Sequence, residues 1–497
     1  MNRRNFLKTA GASATLLSIV PGHVIGASGQ TPPSEKLTIA LIGCGTQGLR
    51  EMIDLLPIQN VQVVAVCDPN KDSDNYVDWS RDGLRSGIAN AIGKPDWRAG
   101  TRGIPGGRVV AKEMVEIYYA NKRGSEKYNG CAMYSDYREL LEKEQGLDAV
   151  KIMTPDHLHA TIAIAAMKKG KAVMVHKPLA NRLREGRLVI DTARQTKVPT
   201  HFLPASSSNS IHAVAEWIRE GHLGALREIH NWSHRPVWPQ YPVIPTETPP
   251  VPAGFDWDLW LGPSQPRPYH PHYTHAVFRG WYEFGGGAVA DMGHYSLWPV
   301  FQEFDLDAPK WVESTPSHLC TIQDQVSVKI HNDYAFPAAC TIRFHFAGKG
   351  ARPGLDIFWY DGGIRPSTPD EFEEDHREMA DEGMLFVCEK GKILAGFLGE
   401  SPTVIPNSKN SEFAAFLKNA RPSARKFGGW VEAFKGGEPT VGNFLLAGPI
   451  TDAFNLAAIS LRLGGRRLRW DADGMKITNV AEANKYLTRD YRKGWEL

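Results

Sequence analysis

The sequence predicts an α/β protein: an N-terminal Rossmann-type, doubly wound parallel sheet, then a C-terminal α/β domain built on a large, mostly antiparallel open sheet. Three observations lead there. Residues 37–48, LTIALIGCGTQG, form an apolar run ending in Gly43, Gly45 and Gly48 spaced as GxGxxG, and Asp68 closes the next apolar run, VQVVAVCD, twenty positions after Gly48. Strand and helix patterns then alternate to about residue 178. Beyond it, segments of alternating apolar and polar residues dominate.

The first strand and its glycines form the nucleotide unit. One glycine makes the tight turn, one lets the backbone approach a pyrophosphate, and one lets the helix beginning at Thr46 and Gln47 pack close to the strand. The helix N-terminus offers N–H groups to phosphates. The Asp68 carboxylate suits ribose hydroxyls and repels a 2′-phosphate, so the expected cofactor is NAD rather than NADP. A polar, glycine-rich stretch at about 70–130 is too long for a simple connection and reads as an inserted, helix-containing excursion. The pattern resumes with a helix carrying Tyr137, Leu140 and Leu141, a strand around Ala149–Met153, the helix HLHATIAIAAMKKG and the strand AVMVHKPL. The turns at Gly43, Asp68, Thr154 and His176 are expected to line one crevice, with Pro155 beside Thr154. The Rossmann domain is placed at 34–178 and the substrate-binding and oligomerisation domain at 179–497.

In that second domain RLREGRLVIDTARQTK and HAVAEWIREGHLG read as helices, and REIHNWSH, VSVKIHN, ACTIRFHF, GLDIFWYD, MLFVCEK and KILAGF as strands. Between Pro236 and Phe284 lies a loop rich in proline and tryptophan, including Trp238, Trp257, Trp260 and Trp281. Its indoles suit either the apolar faces of sugar rings or packing within the loop. Ile450, Phe454, Ala457 and Leu461 share one face of a late helix.

The charge balance, 57 basic against 55 acidic residues, leaves a net charge of +2 and no basic run, which excludes nucleic acid and anionic membrane surfaces as expected partners. Six cysteines are scattered without a CxxC pair, so no zinc knuckle or disulfide framework is indicated. Residues 1–30 read as a twin-arginine export signal: Arg3 and Arg4 precede Phe6, Leu7 and Lys8, followed by a modest apolar stretch and a small-residue exit. The expectation is a folded, periplasmic protein without a membrane segment in its mature form. Little free NAD is available there, so the cofactor should be held tightly and regenerated in place.

The glycine motif, TPDHLHA at 154–160, HKP at 176–178, GGGAVADMGHYSLW at 285–298 and the closing ITNVAEANKYLTRDYRKGWEL together resemble the Gfo/Idh/MocA oxidoreductases, most of all exported members from carbohydrate-degrading bacteria. The resemblance implies an enzyme acting on a hydroxyl of a sugar or related polyol, often as a homo-oligomer. It implies nicotinamide-side contacts from His157 and His159, though His157 also reads as an ordinary helix-start residue. His176 stands where the family usually has an acid beside the nicotinamide.

Lys177 is the expected catalytic and substrate-binding cation, since it ends an apolar strand at the crevice and can stabilise a developing alkoxide. Asp291 and His294, three apart on a helix, read as an orienting carboxylate and a general base facing the substrate. The family places its histidine four residues after the aspartate, a slot held by Tyr295, which stays an alternative. Tyr273, Arg279 and Trp281 are expected to form a substrate wall. His270, His272 and His275 in YHPHYTH read as sugar-bonding or surface groups, and no metal is expected. Three functions fit: an NAD-dependent dehydrogenase of a sugar or glycoside, a redox-neutral glycosidase or lyase working through transient oxidation, and a non-catalytic sugar-binding protein.

Overall fold

The computed structural model describes residues 35–423 and 425–497; the segment read as an export signal lies outside them. Six strands, β1 (Leu37–Ile42), β2 (Val61–Cys67), β3 (Ala132–Tyr134), β4 (Ala149–Ile152), β5 (Ala172–His176) and β6 (Thr200–Leu203), form one parallel sheet in the order 3-2-1-4-5-6. The helices α1 (Thr46–Leu55), α2 (Gly83–Ala91), α3 (Arg108–Arg123), α4 (Tyr137–Lys143), α5 (His159–Lys168) and α6 (Leu183–Thr196) connect them. Strands β1, β4 and β5 are buried along almost their whole length, which is why they read as apolar runs and not as alternations. Strand order reverses between β1 and β4, so a crevice opens there beyond the carboxyl ends of the strands.

The sheet continues past residue 178. Thr200 lies opposite Val173 and Leu203 opposite His176, so α6 is the crossover of one more parallel unit and the domain boundary falls after Leu203. A four-residue strand between Pro199 and Pro204 is too short to show a period. The excursion after Asp68 carries α2 and α3. Val110, Met114 and Val115 of α3 join the core under β1 and β2, while the loop before it folds across the strand ends.

After α7 (Asn209–Arg219) the chain builds a nine-stranded sheet from β7 (Leu226–Trp232), β8 (Trp311–Pro316), β11 (Cys340–Phe346), β12 (Leu355–Tyr360), β13 (Gly383–Cys388), β14 (Gly391–Ala395), β15 (Thr403–Ile405), β16 (Leu468–Asp471) and β17 (Lys476–Ile477). The hairpin of β9 (Cys320–Gln323) and β10 (Val326–Lys329) stands apart from it. The pairing is antiparallel except between β7 and β12. Cys340, Ile342, Phe344 and Phe346 of β11 point to the buried face, and the residues between them do not. That face packs on helices after the short α8 (Trp257–Leu261), namely α9 (Gly287–Glu303) and α10 (Gly448–Arg462). Each large side chain buried there contributes roughly 1.5–3 kcal/mol. At Gly293 of α9 an added Cβ would stand 2.9 Å from the Phe454 ring, so the two helices meet where one lacks a side chain.

The Pro/Trp-rich loop folds on itself. Phe255, Trp260, Tyr269, Tyr273, Phe278, Trp281 and Phe284 form a small core of their own, with Trp257 stacked on Trp260 at 4.7 Å. Most of these rings are therefore packing residues; the stiff prolines let a segment with little regular structure bury them. The C-terminal tail ties this loop down: Arg489 pairs with Glu185 of α6 at 2.6 Å and donates to the Ser264 hydroxyl at 3.2 Å. No helix among the described residues is long and apolar enough to cross a membrane.

Candidate active site

The glycine turn is built as its spacing predicts. Gly43 has φ +99°, and a Cβ there would lie 2.5 Å from the Met153 carbonyl carbon. A Cβ on Gly48 would land 2.1 Å from the Gly43 carbonyl oxygen, so only glycine lets α1 start against the turn. Gly45 is the N-cap of α1 and has no side chain to occupy the helix N–H groups. Asp68 buttresses this turn: its two oxygens accept from the Cys44 amide at 2.6 Å and the Asn70 amide at 2.8 Å. Burial pushes its pKa up to about 6, partly opposed by those two bonds. A carboxylate has about four acceptor sites, so capacity remains for ribose hydroxyls.

Gly43, Asp68, Thr154 and His176 line one cleft of about 860 Å³, together with Gly45, Thr46, Gln47, Gly48, Pro155 and Lys177. The four turns thus converge as expected. The donor set fits a dinucleotide: an uncapped helix start with glycines facing it, a ribose-suited carboxylate, and the Thr154 hydroxyl, which is buried without a protein partner. Both excursions close over this cleft. The Lys71 amide donates to the Gly254 carbonyl at 2.9 Å, the Asp256 amide to the Pro69 carbonyl at 3.0 Å, and the Tyr76 and His275 rings meet at 4.0 Å. Tyr76 is wedged beside Gly45, whose Cβ would stand 3.2 Å from its ring. Tyr76, Trp79 and Asp156 also line the cleft and were not among the residues expected there. Asp156 sits in the quoted TPDH motif and could have been found there; nothing local marks the two aromatics.

His157 and His159 do not line the cleft. The His157 ring is fully buried between Trp260 and Phe284, with Nε2 2.9 Å from the Trp260 carbonyl, and burial drives its pKa down to about 3. His159 bridges two turns, Nδ1 lying 2.6 Å from the Pro178 carbonyl and Nε2 2.8 Å from the Thr154 carbonyl. Both therefore shape the turns that touch the cleft. The short helical turn at Asp156–Leu158 carries His157 toward the packed loop, while His159, the first residue of α5, faces the Thr154 and Pro178 turns.

At the end of β5 the Lys177 ammonium is 4% exposed and forms an ion pair with Asp291 Oδ1. The same oxygen accepts from Arg279 Nε at 3.0 Å. Burial and the neighbouring Arg279 push the Lys177 pKa well below the usual lysine range. Its Nζ lies 5.5 Å from the centre of the Tyr295 ring, and the Tyr295 hydroxyl lies 3.3 Å from His176 Nε2. Arg279 lines the cleft. Tyr273 and Trp281, 4% and 2% exposed, belong to the loop core and not to a substrate wall.

His294 is the clearest departure. Its Nδ1 lies 2.7 Å from the Ala290 carbonyl, its Nε2 has no partner, and its ring sits between Phe202 and Phe454. It lines a separate cavity of about 520 Å³ beyond Pro178, and burial lowers its pKa to about 3. Asp291 does not orient it. A helix turns about 100° per residue, so position 295 lies about 40° from 291 while 294 lies about 60° away on the other side. The α9–α10 seam takes 294 and the Lys177 side takes 291 and 295. His275 has turned onto Tyr76 and His272 stacks on Tyr241, and among the described residues no cluster of three or more His, Cys, Asp or Glu could hold a metal.

Residues 87–202 match the family profile described as the NAD-binding Rossmann fold of the Gfo/Idh/MocA oxidoreductases, and residues 229–348 match that family's C-terminal alpha/beta domain. The chain belongs to the Gfo/Idh/MocA family. Its cofactor domain is the NAD-binding Rossmann domain of that family. Similar curated proteins include Glycosyl hydrolase family 109 protein 1 of Shewanella sp. strain ANA-3 and an alpha-N-acetylgalactosaminidase of Shewanella oneidensis, each 26% identical over 242 residues. Those matches cover 46% of this chain and 44% of the relatives, so the chain spans about half the length of the curated relatives it matches. The crystal structure of the WlbA dehydrogenase from Chromobacterium violaceum, in complex with NADH and UDP-GlcNAcA, shares the fold at 15% identity with a TM-score of 0.51, covering 89% of this chain and 98% of that one.

Proposed function

We propose that this Gfo/Idh/MocA protein is an NAD-dependent enzyme that takes hydride from a secondary hydroxyl of a sugar or glycoside. The observation that carries the reading is the Lys177 ammonium, buried at the cleft and held by Asp291 and Arg279 beside Tyr295. Bound NAD supplies the hydride acceptor. Lys177 donates a hydrogen bond to the reacting oxygen and stabilises it as it becomes an alkoxide; in a buried site that charge interaction is far stronger than in water. Asp291 keeps the ammonium aimed, and Tyr295 stands at the proton-transfer position. The closed loops around Tyr76 and His275 exclude water and support retention of the cofactor between turnovers.

A second reading is favoured by the glycosyl hydrolase relatives: transient oxidation next to an activated C–H, elimination of the glycosidic substituent, and return of the hydride. Both readings share the same first step. The nicotinamide absorbance of the purified protein, followed with para-nitrophenyl N-acetyl-α-galactosaminide and a panel of methyl glycosides without added NAD, separates them. Lasting reduction means a dehydrogenase, product release without lasting reduction means the redox-neutral enzyme, and neither response with a full complement of bound NAD refutes both in favour of a sugar-binding protein. Export by the twin-arginine route is proposed from Arg3 and Arg4; replacing both with lysine should leave the protein in the cytoplasmic fraction. A homo-oligomer is proposed through the half-buried sheet face of Trp311, Arg343 and Phe358, and light scattering would measure it.

A further inference from the structure

The geometry points to His176 as the transient acceptor of the substrate proton, acting through Tyr295 and not on the substrate itself. This rests on the proposed function and goes beyond it by giving the histidine in the HKP motif a task. His176 ends β5, lines the cleft and is 6% exposed. Its Nε2 is 3.3 Å from the Tyr295 hydroxyl, which as a phenol donates to an unprotonated ring nitrogen. The Lys177 ammonium, which lines the cleft, lies 5.5 Å from the centre of the Tyr295 ring. With a reacting oxygen held at Lys177, the phenol and the imidazole would form a two-step path.

The step balances. A bound nicotinamide would accept the carbinol hydrogen with the electron pair of its C–H bond; the O–H proton moves to the Tyr295 oxygen, and the Tyr295 proton moves to His176 Nε2. The products are the ketone, a reduced acceptor, neutral Tyr295 and an imidazolium. In the redox-neutral reading the same proton returns when the hydride does, so no exchange with water is needed.

The surroundings of both groups suit a neutral starting histidine. His176 is faced by Lys177, Arg279, His159 and Lys151, and burial with these charges holds its pKa well below the usual histidine range. Tyr295 is faced by Arg279, Glu51 and Arg235, and burial raises its pKa. His176 is thus unprotonated at neutral pH with Nε2 free to accept, an imidazolium formed beside those cations is short-lived, and the capacity to accept is lost only as acid protonates the ring in advance. Hydride transfer should fall on the acid side, below the ordinary histidine pKa.

The test uses holoenzyme with para-nitrophenyl N-acetyl-α-galactosaminide and methyl glycosides, read as single-turnover reduction of bound NAD across pH. His176→Gln keeps an acceptor but cannot titrate; it should bind NAD as the wild type does, slow the hydride step about 100-fold and lose the acid limb. His176→Glu should restore a limb at a different pH. Independently of turnover, ¹⁵N resonances of His176 should move in Tyr295→Phe. A wild-type rate and limb in His176→Gln, or unmoved resonances in Tyr295→Phe, overturns the relay while leaving the proposed function standing. Wild-type holoenzyme that no glycoside reduces overturns the function, and this inference with it.

Discussion

Replacing Asp291 with asparagine tests the centre of the site most directly. The carboxylate is 9% exposed, and its Oδ1 meets both the Lys177 ammonium and the Arg279 guanidinium, the latter at 3.0 Å. At that separation, with an effective dielectric near 20, each pair attracts by roughly 5 kcal/mol, and desolvation offsets most of this in the intact protein. The amide conserves shape and removes the charge. It leaves two buried cations side by side with Asp156 as the remaining nearby anion. Removing one partner of such a pair costs about 3–5 kcal/mol, which corresponds to a fall in Tm of roughly 5–15 °C. Calorimetry of the holoenzyme reads that loss directly. Lys177→Met in the same background removes one of the stranded cations, so the double variant should be more stable than the sum of single effects by about 1.5 kcal/mol or more. An unchanged Tm in Asp291→Asn, or strict additivity with Lys177→Met, would refute the counter-ion role.

Four further outcomes are expected. His294→Leu should retain hydride transfer, because that ring lies in the α9–α10 seam; loss of turnover with intact folding and bound NAD would restore it as the base. Gly48→Ala places a methyl group 2.1 Å from a backbone oxygen and should abolish NAD binding, measured by the cofactor content of purified protein. Tyr76→Ala should speed NAD release by removing the ring that meets His275 over the cleft, with little change in Tm; an unaltered off-rate would show that the closure does not hold the cofactor. His157, His201, His275 and His294 are held at about 3, 4, 4 and 3 by burial, against 6.5 when unfolded. The unfolded chain therefore binds more protons below pH 6.5, and the stability each provides is complete above that value and lost as pH falls, by up to about 2 kcal/mol each at pH 5. Asp68 and Asp361, both raised to about 6, act with the opposite sign below pH 6 and offset part of it. Urea unfolding at pH 7 and pH 5 should show a net loss; a gain at pH 5 would contradict the buried-neutral assignment.

Local pattern alone determined the parallel sheet, the glycine turn, Asp68 and Lys177, because each depends on neighbours within one strand–turn–helix unit. A buried strand must be apolar along its length, and a backbone that crosses Met153 at φ +99° must be glycine, so those demands are written in consecutive residues. The alternating strands of the second domain were legible for the same reason. Tertiary structure decided what depends on the material packed against an element. Whether Asp291 shares the Lys177 side of its helix with His294 or Tyr295 is a difference of some tens of degrees around one helix, settled by where α10 packs. The sixth strand became visible only through its partner β5, and the aromatic residues of the 236–284 loop became core only once that loop had closed on itself. Tyr76 reached the glycine turn through an excursion whose sequence carries no period. Distant contacts of this kind leave no mark within a few residues, and they position the cofactor cleft, the counter-ion of Lys177 and the partner of His176.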